Sequence, residues 1–441
     1  MTPRICLAVS LLLGMVAPLH AQDDWAGKRI ILKRPGIKFG YSDDDGKQVY
    51  IGELTNLAYT VQKEADGFLR VQHRGTSGWF PKAEAMLVVD AIPYYAERTR
   101  NAAPRESIPH AYLGWAYKEN DQIEQALAAY AEAIRRDPKP NWYNNRGVIH
   151  RDAKRLDLAI ADFTEAIKRD PNFALAYENR AAAWSLLGKN LTALADWNDC
   201  LRLDPGNAAA RIRRAKIFAD QKDFDKAIAD LNAVLKADPE NVAALIDRGN
   251  LYSDLQKLDE AIADFTAAIE ADGKNPEAYI ARSQLYTDQK DFAKALADVE
   301  AALKLSPTLV EAVVARGWNR FLTGEYDKAL ADFAKAREMN PKNPGSYNSQ
   351  AWMWATCPEE KYRNGKKAVE FAKIAVELSD GKEPAILDTQ AAAYAEAGDF
   401  PAAVRVQEQV IQSATGPLAA EARERLEKYK KKEPHRQAVG K

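Results

Sequence analysis

The chain has 441 residues, of which 46% are hydrophobic and 28% charged, and its formal net charge is −1. That balance excludes a globally basic nucleic-acid binder, a strongly acidic solvating tail and wholesale disorder. Only 3 cysteines in so long a chain exclude a disulfide scaffold.

Residues 1–21 read as an export signal. Arg4 is the only charge, Ile5 to Val16 is apolar or small, and the stretch closes on Leu19-His20-Ala21 before the polar Gln22-Asp23-Asp24. The apolar run is shorter than the roughly 20 residues a spanning helix needs, and the alternative is an uncleaved anchor. The mature chain is therefore expected in a periplasmic or extracellular space, with no integral membrane segment after cleavage.

Residues 22–90 show short alternating runs between turn signals. Strands are predicted at Lys28–Leu32, Gln48–Leu54, Tyr59–Glu64, Phe68–His73, Gly75–Phe80 and Met86–Val89, with Asp66-Gly67 as the strongest hairpin signal. Short strands this closely spaced predict a small barrel. The module resembles the bacterial SH3-like domain, on Gly67-Phe68-Leu69-Arg70-Val71 followed by Gly78-Trp79-Phe80 and Leu87. Members of that family bind cell-wall peptides or proteins, or serve as spacers. The resemblance makes Trp79 a candidate to line a ligand groove. The competing reading has it plug one end of the barrel, because Trp in a small domain is usually core.

Residues 91–106 predict a half-repeat helix that links the module to the rest of the chain. From there one period dominates. Pro138, Pro171, Pro205, Pro239, Pro307 and Pro341 succeed one another at steps of 33, 34, 34, 68 and 34, and Gly273 stands at the missing place. Bulky, small and aromatic residues recur at set offsets, as in Leu245, Gly249, Tyr252, Ala261, Phe265 and Ala268. In these positions the chain resembles the tetratricopeptide repeat, whose period is 34 residues. Each repeat is two amphipathic helices, A and B. Small residues let them approach, an aromatic fills the gap, and the closing Pro ends helix B. One such pair cannot bury its own face, so neighbours stack.

Seven regular repeats are predicted over residues 107–343 and two divergent ones over 344–415, with an insertion at Thr356–Glu360. Residues 416–441 read as a capping helix and a frayed basic tail. The expected fold is mainly α: a right-handed superhelix of about nine helix pairs, as the resemblance implies, preceded by the small all-β barrel. Cys200 and Cys357 then lie about five repeats apart, too far for a disulfide. Cys200 takes a small packing position, and Cys357, in the insertion, is a candidate for exposure.

A charge ladder runs through the repeats. Arg146, Arg180, Arg214, Arg248, Arg282 and Arg316 are spaced by 34, and each precedes by 16 residues one of Asp162, Asp196, Asp230, Asp264, Asp298 and Asp332. One reading is an anion-binding stripe. The structural reading pairs each Arg with an Asp, since charges inside helix packing need partners and guanidinium–carboxylate pairing is bidentate.

The family resemblance puts ligand contacts on the A helices, at their second, fifth, ninth, twelfth and thirteenth positions. Carried onto this chain, these offer Trp115, Lys118, Asn141, Asn144, Arg151 and Glu178, then Lys216, Asn250, Gln284, Trp318 and Trp352, with Ser185, Ser253, Thr287, Phe321 and Asn348 beside them. Amides suit an extended peptide backbone and aromatic rings hold its side chains. The carboxylate clamp of chaperone-binding members is matched poorly: Asn179 and Arg213 fit, while Asn144, Val148 and Ala209 depart from it. No nucleophile–base constellation, phosphate loop or metal-ligand spacing stands out, so neither catalysis nor a cofactor nor a metal is expected. The sequence thus reads as an exported scaffold or adaptor that binds a protein or peptide in its groove. The alternative is an envelope module whose barrel holds peptidoglycan peptide and whose repeats are an assembly arm.

Overall fold

The structure, a computed structural model, describes residues 26–32, 37–42, 48–54, 58–73 and 76–439. The predicted signal at 1–21 lies outside the described residues. The chain forms two compact units, Met1–Ala210 and Arg211–Lys441.

The first unit opens with β1 (Arg29–Leu32), β2 (Ile37–Ser42), β3 (Gln48–Leu54), β4 (Ala58–Thr60), β5 (Lys63–Ala65), β6 (Phe68–His73), β7 (Thr76–Pro81) and β8 (Ala85–Leu87). They make two antiparallel sheets, β4-β1-β8 and β3-β2-β7-β6-β5. The β5–β6 hairpin closes on Asp66 and Gly67, both at positive φ, as a two-residue primed turn requires. Leu69 and Val71 alternate inward with Phe80 beside them, and Ile30, Tyr59, Val61 and Ala85 complete the core.

Three strand predictions change. β2 has no counterpart among the predicted strands; the Pro35-Gly36 turn signal and Gly40 mask the Ile37/Phe39/Tyr41 alternation. The single strand expected at 59–64 is two strands, because the chain changes sheets there: Val61 N–H bonds Lys28 O, and Gln62 N–H bonds Arg70 O. Val88 and Val89 belong not to a strand but to α1 (Val88–Arg100). This helix packs on β1, β8 and α2 through Ala91, Tyr95, Met86 and Leu113.

Helix pairs come next: α2 (Ile108–Glu119) with α3 (Ile123–Arg136), α4 (Pro140–Asp152) with α5 (Leu156–Arg169), and α6 (Ala174–Leu186) with α7 (Asn190–Leu203). The unit boundary falls inside α8 (Ala208–Asp220). The second unit continues with α9 (Phe224–Ala237), α10 (Val242–Asp254), α11 (Leu258–Ala271), α12 (Pro276–Asp288), α13 (Phe292–Leu305), α14 (Val310–Leu322) and α15 (Tyr326–Met339). It ends with α16 (Pro344–Thr356), α17 (Gly365–Leu378), α18 (Pro384–Glu396), α19 (Phe400–Ser413) and α20 (Gly416–Lys430). No described helix is long and apolar enough to cross a membrane.

Close approach within a pair needs a missing side chain. A Cβ on Gly317 would stand 2.6 Å from Phe333 Cε1, and one on Gly147 the same 2.6 Å from Phe163 Cε1. The aromatic ring thus occupies the volume that any other residue at the crossing would take.

Two expectations about the C-terminal end fail. Cys357 is fully buried, because the insertion folds back over α16: Asn364 N–H bonds Trp354 O, and the Cys357 side chain joins the cluster around Phe321 and Met353. Burial pushes its thiol up, and pushes that of Cys200 up to about 11; both are free. The basic tail is not frayed after His435. It returns to the A-helix face of α16 and α18, where Gln437 N–H bonds Thr356 O and Arg436 pairs with Glu396.

Candidate functional site

The ladder fixes the A helices. In each of six repeats the seventh A-helix residue is Arg, and its Nε and Nη2 donate to both carboxylate oxygens of an Asp on the B helix. The distances are 2.9 and 2.6 Å for Arg146–Asp162, 2.8 and 2.7 Å for Arg180–Asp196, and 2.8 and 2.6 Å for Arg214–Asp230. They are 2.8 and 2.6 Å for Arg248–Asp264, 2.8 and 2.7 Å for Arg282–Asp298, and 3.0 and 2.6 Å for Arg316–Asp332. The bonds to Asp hold Arg146, Arg180, Arg248 and Arg282 above their ordinary basicity. Three guanidiniums also reach the preceding B helix: Arg180 to Thr164, Arg248 to Asn232 and Arg282 to Thr266. The column is thus committed to packing, within a repeat and between repeats, rather than presented as an anion stripe.

On the A-helix face of the first unit, Trp115 and Lys118 are half-buried and Asn141 is exposed. Asn144 is not available to a ligand. It is 3% exposed and accepts a bond from Asn179 Nδ2 at 2.9 Å, while Arg151 Nη1 donates to Asn179 Oδ1 at 2.8 Å. The two amides and the guanidinium satisfy one another, which is what burial of polar groups demands. Glu178 is half-buried and accepts from Asn207 Nδ2 at 2.8 Å. A cleft of about 440 Å3 in this unit is lined by Arg29, Lys118, Glu119 and Asp152 among others, and Arg29 pairs with Glu119 across it. Trp79 is half-buried on β7. Its neighbour Phe80 enters the sheet core, so strand alternation puts Trp79 on the other side of β7.

In the second unit Lys216, Asn250 and Gln284 are exposed. Burial pushes the Asp247 carboxyl up, although Lys216 and Arg213 pull it down. A cavity of about 450 Å3 lies on the A helices α12, α14 and α16. Gln284, Thr287 and Asp288 form one wall, Glu311, Val314 and Trp318 another, and the start of α16 the third. Trp318, which lines the cavity, donates from Nε1 to Ser349 Oγ at 2.8 Å, and this bond fixes the indole. Asp288, whose carboxyl burial pushes up, and Glu311 escaped the sequence reading; Asp288 belongs to a column of Asp220, Asp254 and Asp288 that closes three A helices.

Two predicted contact residues are core instead. Phe321 is fully buried in the cluster with Tyr326 and Phe333. Trp352 is 8% exposed, because the tail covers it and its Nε1 donates to Gln437 Oε1 at 3.2 Å. Among the described residues no group of His, Cys, Asp and Glu is arranged to hold a metal ion.

Family models of the tetratricopeptide repeat match residues 113–174 and 187–242, residues 215–286, and residues 276–309. The chain carries tetratricopeptide repeats over these stretches. No curated protein matches it. Among solved structures it is similar to a tetratricopeptide repeat protein from Parabacteroides merdae, at 22% identity over 61% of this chain and 98% of that one, with a TM-score of 0.45. It is similar also to pilF of Pseudomonas aeruginosa, at 15% identity over 48% and 96%, with a TM-score of 0.43. A third is YrrB, a TPR protein with an unusual peptide-binding site, at 22% identity over 43% and 97%, with a TM-score of 0.36.

Proposed function

We propose that this array of tetratricopeptide repeats is a non-enzymatic scaffold in an exported protein, and that it holds a protein or peptide on the A helices of its second unit. The observation that carries the reading is the cavity across α12, α14 and α16. It combines an indole, aliphatic Val314 and Leu322, neutral amides and hydroxyls, and two carboxylates. Apolar surface gives an extended segment its affinity, and the polar groups at its edge fix register. Its volume, about 450 Å3, suits a few side chains rather than a folded domain.

The test is a photo-crosslinking residue placed at Gln284 in the full chain, with a second at the exposed Lys335 on α15 as control, and recovery from the native exported compartment. One protein crosslinked from position 284 and not from 335 supports the reading. The same set from both positions overturns it.

A second reading is favoured by one observation, the half-buried Trp79 on the side of β7 opposite Phe80. In it the resemblance to SH3-like domains is functional, and the module binds peptidoglycan peptide. Co-sedimentation of the full chain with purified cell wall, lost in Trp79→Ala, supports this reading; no sedimentation removes it.

A further inference from the structure

Residues 435–439 make contacts that a loose segment does not. Gln437 N–H donates to Thr356 O at 2.9 Å, its side chain accepts from Trp352 Nε1, and Arg436 Nη1 lies 2.7 Å from Glu396 Oε2. The His435 ring stands 5.7 Å from the Trp352 ring, and Val439 packs on the cluster around Phe321 and Met353. Trp352 and Thr356 are the ninth and thirteenth residues of α16, and Glu396 is the thirteenth of α18. These are the A-helix positions from which a repeat contacts a ligand. The mode is that of an extended peptide: one main-chain bond, one amide–indole bond, one cation on a carboxylate and an apolar anchor.

We propose that the segment Glu433–Val439 is a built-in ligand. It occupies the A-helix face of α16 and α18, and an external peptide of the same chemistry, a basic residue followed by an amide, exchanges with it. The cavity one repeat earlier supports the choice of partner. Trp318 stands there at the position of Trp352, and a carboxylate again closes a neighbouring A helix, Asp288 on the helix before the tryptophan where Glu396 is on the helix after it. A cationic side chain complements that pair of carboxylates, Asp288 and Glu311, which have no basic residue lining the cavity with them. A tethered segment is present at an effective concentration of the order of millimolar, so it masks the face until displaced. The inference rests on the scaffold reading only for the external partner; the self-contact is independent of it.

The test uses the full chain and the variant Arg436→Glu. Hydrogen exchange at the Gln437 amide reports docking of the tail. A labelled synthetic peptide of residues 431–441 reports whether the face is free. The proposal expects Gln437 to be protected, but to open at least tenfold more readily than the Val410 amide in α19. It expects Arg436→Glu to abolish the protection, and the labelled peptide to bind the variant at least tenfold more tightly than the native chain. A peptide that itself carries the Arg436→Glu change binds neither. Three results would overturn it: Gln437 exchanging only together with α18–α20, equal peptide affinity for both chains, or no binding to either. Failure here with a specific crosslink from position 284 leaves the scaffold reading standing; the reverse pairing leaves only the self-contact.

Discussion

The regular repeats and the C-terminal end solve one problem in different ways. In the regular repeats a carboxylate on helix B meets an Arg from helix A, and the guanidinium keeps one edge toward water, with side chains 15% exposed at Arg282 and 24% at Arg146. At the end of the array the column breaks. Gln350 stands 34 residues after Arg316 and accepts from Arg337 Nη1 at 2.9 Å. The load passes to Asp388 on α18, which pairs with Arg425 of α20 and accepts from Gln407, with both members of the ion pair 6% exposed or less. An internal repeat is finished by its neighbour, whereas a terminal one has to be finished by residues outside the period. The capping helix supplies the missing cation and the tail covers the A-helix face.

If that contrast is right, the terminal pair matters more per charge than a ladder rung. Arg425→Leu leaves Asp388 buried with one amide for company, and is expected to cost about 3–5 kcal/mol. Urea unfolding of the full chain, followed by far-UV circular dichroism, measures this. Arg248→Met strands Asp264 in the same manner, but water reaches the 21% exposed site, so about half that loss is expected. Lys257→Met, which removes only a cation near the Tyr252 ring, should cost less than about 1 kcal/mol. Equal melting shifts for Arg248→Met and Lys257→Met would sink the ladder. Gly317→Ala tests packing without charge: its methyl meets Phe333 at 2.6 Å, and overpacking of this kind costs about 1–3 kcal/mol. An unchanged melting temperature would mean that the ring swings away freely.

The legible part of the molecule is the periodic part. Arg248 and Asp264 were readable because 34-residue spacing and an offset of 16 repeat six times, and because two charges in helix packing have few other uses. The Asp66-Gly67 turn was readable from local chemistry alone. What escaped has neither period nor local signal. Trp352 carries the same letter as Trp318 one repeat earlier, yet is buried because a segment 85 residues downstream lies on it. Asn144 has the chemistry of a ligand contact, and its partner is 35 residues away in the next repeat. The sheet change at Val61–Gln62 left the β-propensity unbroken, since only the partners of the strand change.

The predicted effect most selective for the tail is its response to pH. Burial first, then the charges of Arg425, Lys428 and Arg436, pushes the His435 imidazole down to about 4; the Trp352 ring lies beside it, and Glu396 is held by Arg363 and Arg436 rather than by the histidine. An undocked His435 titrates near 6.5 and so takes a proton before the docked one does. Docking is then at full strength above about pH 6.5 and weakens as pH falls from there toward 4, by up to tenfold per unit. Exchange at the Gln437 amide should therefore speed up between pH 7 and pH 5, after correction for intrinsic rates, and His435→Gln should remove the change. The sign is what matters: a flat profile in the native chain would leave the buried imidazole a spectator and assign the docking to the other contacts of the tail, those of Arg436, Gln437 and Val439.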